Sequence, residues 1–164
     1  MHRLVGAVLI ILAGSMLGFL KSDSLKKRVD GIGKIITGLG LLQTDISYGR
    51  KNLKSALQSI GEHQEIDLFK RIAKEIDKNG IREAVSIALS EDGQYLLEKD
   101  KVPVLALAEN LGMTDCGNQE IAIKRAMASL DEAKADAEAQ YERLGRLYLS
   151  SGVLGGILVA IILI

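Results

Sequence analysis

The chain has 164 residues, 48% of them hydrophobic, with 21 basic residues against 21 acidic ones. Every charged residue except Arg3 lies between positions 21 and 146, a middle with net charge about −1, so there is no basic excess to neutralise phosphates, and this argues against general nucleic-acid binding. The lone Cys116 cannot form an internal disulfide, and a single Pro, no Trp and abundant Ala, Leu, Ile, Lys and Glu favour helices over sheets.

Leu4 to Phe19 is an uncharged apolar run with Arg3 before it and Lys21 just after it. As a helix it spans roughly 25 Å, which suits a ~30 Å hydrocarbon core once Lys21 snorkels to the interface. The run also fits a cleaved secretory signal, with small residues Ala13, Gly14 and Ser15 near its end, which would make the chain a secreted, tail-anchored enzyme or sensor. A second uncharged run, Leu147 to Ile164, tips the choice to two retained transmembrane helices, residues 1–20 and 147–164, around a helical domain at 21–146. Gly14 and Gly18 make one Gly-x-x-x-Gly spacing, and Gly152 and Gly156 make another; small residues so spaced let two helix backbones approach in a bilayer. The plain alternative is that Gly is common in membrane helices. Lys21, Lys26, Lys27, Arg28, Arg143 and Arg146 flank the inner ends of the runs, predicting a cytoplasmic middle with both termini outside.

From Ser24, Leu25, Val29, Ile32, Ile36, Leu39 and Leu42 or Gln43 recur at alternating spacings of four and three, predicting an amphipathic helix to about Tyr48. Gly31, Gly33, Gly38 and Gly40 lie in it as two pairs, suggesting a flat face for close packing of another helix. Gly31-Ile-Gly33-Lys34 is not a phosphate loop, because Arg28 stands where that motif needs Gly and Ile35 where it needs Ser or Thr. After a turn at Tyr48-Gly49 come a short helix from Leu53 closed by Gly61, a helix with Ile66, Phe69, Ile72 and Ile76 ending at Gly80, and another over Arg82 to Leu89. A charged linker or frayed helix with Tyr95, Leu96 and Leu97 begins at Ser90, followed by a helix over Val104 to Leu111 with Pro103 in its first turn and Gly112 past its end.

Thr114 or Asp115 can cap the last and longest helix, whose seam reads Ile123, Met127, Leu130, Lys134, Ala137, Tyr141, Leu144 and Tyr148. Its alanines suit close packing on the glycine face of the first long helix. The fold predicted is an all-α helical bundle with a long antiparallel helix pair, flanked by an N-terminal and a C-terminal transmembrane helix.

Catalysis would need a constellation that this chain does not offer. His63 lies in a polar turn, His2 at the terminus, and Cys116 has neither a paired His nor a second Cys. The acidic runs of the last helix are interspersed with Lys134 and Arg143, as on a solvated face. The reading is therefore non-enzymatic, without metal or cofactor.

The segments Leu42-Gln-Thr-Asp45-Ile46-Ser-Tyr48-Gly49, Leu53-Lys-Ser-Ala56-Leu57 and Leu111-Gly112-Met113-Thr114-Asp115, with the ending Tyr141-Glu-Arg-Leu144-Gly145 through Gly152, Gly155 and Gly156, resemble the stage III sporulation protein AB family of endospore-forming bacteria. The resemblance runs over the entire chain. Asp45 stands where the family often has Glu, and Lys51-Asn52 where it often has Thr-Pro. The resemblance implies a mother-cell membrane protein of a multi-component assembly that forms a channel to the forespore. It also implies a cytoplasmic region similar to the helical domain of the type II secretion inner-membrane platform protein, and hence, as partners, the channel membrane proteins and the sporulation ATPase of the same operon, with homo-oligomerisation open. On that reading the contact positions are turn residues far from the membrane: Tyr48, Gly49, Arg50 and Lys51, and Leu111, Gly112, Thr114 and Asp115. Gly14, Gly18, Gly152 and Gly156 are the candidates for packing between the two spans.

Overall fold

The structure, a computed structural model, describes residues 2–47, 52–111 and 116–163. Five helices follow one another: α1 His2–Ser47, α2 Leu53–His63, α3 Asp67–Glu91, α4 Glu98–Ala108 and α5 Cys116–Leu163. The fold is all-α, with no strand among the described residues. The chain divides into two compact units, Met1–Val29 with Ala135–Ile164, and Asp30–Lys134, so α1 and α5 each contribute to both. The predicted turn at Tyr48-Gly49, the stop at Gly112 and the cap at Thr114 or Asp115 lie outside the described residues.

In the Asp30–Lys134 unit the core is built from Ile32, Ile35, Leu39 and Leu42 of α1, Leu57 and Ile60 of α2, Phe69 and Ile72 of α3, Leu107 of α4, and Ile123 and Leu130 of α5. Ile35 is fully buried, whereas the predicted seam used Ile36, which is only half-buried. The reason is that α1 is covered on more than one face here. Gly31, Ile35, Gly38 and Leu42 form a second stripe at helical spacing, and the two glycines in it are notches for aromatic rings. A Cβ at Gly31 would run into the Tyr95 ring, and one at Gly38 into the ring of Phe69. Gly33 and Gly40 meet α5, through Lys134 and Met127, with ordinary contacts of 3.5 and 3.7 Å to a Cβ. The expected single flat glycine face is thus two faces with different partners.

Asn52 caps α2, its side chain accepting from the Ser55 N–H at 2.8 Å. Gly61 does not close α2, as its position in the sequence suggested, but is buried within it. A Cβ there would lie 2.8 Å from the Lys70 nitrogen, so glycine is needed for the approach of α3, and the chain reverses at Glu65, φ 52. At Gly80 the predicted break is present: φ 75 and ψ 167 interrupt α3, a conformation that L side chains rarely adopt. α4 begins well before Pro103, because the Asp100 carboxylate turns back to accept the Leu97 N–H at 3.0 Å and so starts the helix at Glu98. Pro103 therefore sits inside α4, beyond its first turn.

The loop after α3 is held by Arg71, whose guanidinium donates to Asp92 at 3.1 Å and pairs with Glu91 at 2.5 Å. The hydrogen bond to Asp92 raises the Arg71 pKa further, keeping the clamp charged. That loop delivers Tyr95 to the Gly31 notch. Burial, and secondarily the carboxylates of Asp92 and Asp67, push the Tyr95 phenol above its ordinary value of 10.0. A raised folded-state pKa means that the neutral phenol is the stabilised form, so its contribution is full below the ordinary value and is lost as pH rises through the folded one. Chemical denaturation from pH 8 upward should show the wild type losing stability past about pH 10 more steeply than Tyr95→Phe, which keeps the ring and removes the proton. Equal slopes would contradict the burial of the phenol.

Candidate functional site

In the unit formed by Met1–Val29 and Ala135–Ile164, α1 and α5 run antiparallel, since rising positions on one meet falling positions on the other. Gly14, Gly18, Gly152 and Gly156 come together there. A Cβ on Gly14 would lie 2.7 Å from the Gly152 carbonyl oxygen and 3.1 Å from the Gly156 Cα. One on Gly152 would lie 2.6 Å from the Gly14 oxygen and 3.1 Å from the Gly18 Cα, and one on Gly156 2.9 Å from the Ile11 Cα. The two backbones therefore touch, and only glycine fits. So close an approach leaves no room for rings in the seam: Tyr141 and Tyr148, expected there, are exposed, while Gly145, Gly152 and Gly156 take the inner positions. Around the seam the large side chains face outward, Leu17 at 67% exposure and Ile161 at 71% among them. Both helices are long and apolar enough to cross a membrane.

Just beyond the apolar stretch lies a group that sequence reasoning missed. Arg28 reads as one more flanking cation, yet it is 3% exposed. Its guanidinium lies 3.5 Å from Asp136 and donates to the Gln140 side-chain oxygen at 3.3 Å, and Gln140 donates to Asp136 at 3.2 Å. The signal was its spacing: Leu25, Arg28 and Ile32 share one helix face. Asp136 and Gln140 supply the partners that a buried guanidinium needs, since leaving it buried and unpaired would be strongly destabilising.

Of the turn residues proposed as partner contacts, Tyr48, Gly49, Arg50, Lys51, Gly112, Thr114 and Asp115 lie outside the described residues. Leu111 is 4% exposed, so it packs in the core and does not present a contact; its apolar side chain gains more from burial than from solvent. His63 is exposed, with its ring nitrogen 2.7 Å from the Ser59 carbonyl. No group of three or more potential metal ligands occurs among the described residues.

The family model of stage III sporulation protein AB matches residues 3–164. The chain belongs to that family. It is 30% identical to the stage III sporulation protein AB of Bacillus subtilis (strain 168), over 99% of both chains. A solved structure of a stage III sporulation protein AB, 24% identical, superposes with a TM-score of 0.62 over 70% of this chain and 96% of its own, which supports the all-α fold. Membership in the family gives the protein a role in sporulation.

Proposed function

We propose that the protein is a non-enzymatic platform in the mother-cell membrane: two spans anchor a helical cytoplasmic domain that couples the sporulation ATPase to the channel assembly between mother cell and forespore. The observation that carries this reading is the glycine seam, which joins two apolar helix segments whose outward faces are large and aliphatic. A soluble domain would bury those side chains; in a bilayer they meet lipid, and packing holds the helices together. The basic residues at the inner ends favour a cytoplasmic domain. Each span continues as a helix of the Asp30–Lys134 unit, so a load applied to that unit is conveyed to the spans through unbroken backbone.

Photo-crosslinking from positions 48 and 112 of the full chain in sporulating cells tests the coupling. Capture of the ATPase is the expected outcome; recovery of other assembly members but never the ATPase would leave the platform without its motor. The mass of the mature protein separates retained spans from a cleaved signal, because loss of the first twenty or so residues removes half of the seam.

A further inference from the structure

A cavity of about 580 Å³ opens beside the helix pair where the apolar runs give way to charge, lined by Ser22, Tyr141, Glu142, Gly145, Arg146 and Leu149. Its size lies within the range of small-molecule sites, roughly 300–1,000 Å³. Ser22 is 7% exposed, and its hydroxyl pairs with no described residue but opens on the cavity. Gly145 keeps the space clear: a Cβ there would lie 3.2 Å from both the Ser22 oxygen and the Tyr141 ring. Glu142 and Arg146 stand one helical turn apart, yet neither has an ion-pair partner among the described residues. Leu149, below them, belongs to the apolar run.

We propose that this cavity binds the headgroup of an aminophospholipid, the phosphodiester held by Arg146 and the Ser22 hydroxyl and the primary ammonium by Glu142. The chemistry is that of a zwitterion. A guanidinium offers a fork of donors to phosphate, a carboxylate accepts from an ammonium, and a site that holds one of each a turn apart suits a ligand with both charges better than a purely anionic headgroup. The position fits as well, because Lys21 and Leu147 bracket the level at which lipid headgroups meet the helices. This inference rests on the two-span reading above, so the test separates the two.

The full-length protein, purified from membranes in detergent, is mixed with equal amounts of phosphatidylethanolamine and phosphatidylcholine of identical acyl chains, and retained lipid is counted by native mass spectrometry. The quaternary ammonium of choline has no N–H to donate, so ethanolamine adducts should exceed choline adducts by about fivefold. Glu142→Gln should bring that ratio to about one, while Arg146→Leu should deplete both lipids. Both positions are exposed, and unchanged melting by circular dichroism establishes that the variants fold. Equal retention by the wild type, a Glu142→Gln variant that keeps its preference, stronger retention of phosphatidylglycerol, or equal binding of soluble phosphoethanolamine would each overturn the headgroup site. Flotation with vesicles of phosphatidylcholine alone reports on the spans by themselves: a chain that fails to float loses the two-span reading and the proposal with it, whereas a chain that floats but shows equal adducts loses only the proposal.

Discussion

Replacing Gly152 and Gly156 with leucine should leave the chain in the membrane fraction while separating its two apolar helices. Leucine adds hydrophobicity, so insertion does not suffer. The seam does, because a first side-chain carbon would already lie 2.6 Å from the Gly14 oxygen at one position and 2.9 Å from the Ile11 Cα at the other, and both obstacles are backbone. Overpacking of this kind costs about 1–3 kcal/mol per site, and adjacent sites do not add fully. A combined loss near 2 kcal/mol lowers the ratio of paired to separated helices by roughly thirtyfold. Spin labels at Phe19 and Leu147, both exposed and both in the same unit, read the separation directly once Cys116 is replaced by serine. A narrow distance distribution that survives the double substitution, with sporulation intact, would reduce the tail to a simple anchor.

In the other unit, the paired substitutions Gly38→Ala and Gly40→Ala should have opposite signs although they are two residues apart on the same helix. Both gain up to about 1 kcal/mol of helix propensity. At Gly40 the new methyl meets only the Met127 methyl at 3.7 Å, so stability should rise by most of that amount. At Gly38 it would run into the Phe69 ring, which is 1% exposed and cannot retreat into solvent. Net destabilisation of about 1–2 kcal/mol follows from overpacking less the propensity gain, or roughly 4–8 °C in Tm for a unit of this size. Thermal denaturation of both variants decides it, and a stabilised Gly38→Ala would mean that the ring does not occupy the notch.

These two pairs mark what one-dimensional reading reaches. The apolar runs, their glycine spacings, the break at Gly80, a second break within two residues of the predicted helix end at Leu89, and the all-α class were legible because composition, helical period and turn chemistry are local properties. The resemblance to the stage III sporulation protein AB family was legible too, since it rests on short motifs distributed over the entire chain. Errors arose where a residue answers to a distant partner. Gly61 has the form of a helix stop, yet Lys70 needs the space above it. Pro103 has the form of a helix start, yet Asp100 had already started the helix.

By itself, then, the sequence determined that two uncharged helical runs bracket a charged helical middle and that glycines recur where backbones can meet. Only the tertiary structure decided which glycine faces what: Gly14 and Gly18 a backbone, Gly31 and Gly38 an aromatic ring, Gly33 and Gly40 a flexible side chain. It also turned Arg28 from a surface cation into a buried pin, and opened the cavity beside Ser22 and Gly145. The physical reason is common to all of these. A missing side chain or a lone charge is defined in the sequence by its type, but its energy depends on the atoms that fill the space next to it, and those come from other helices, distant in the sequence.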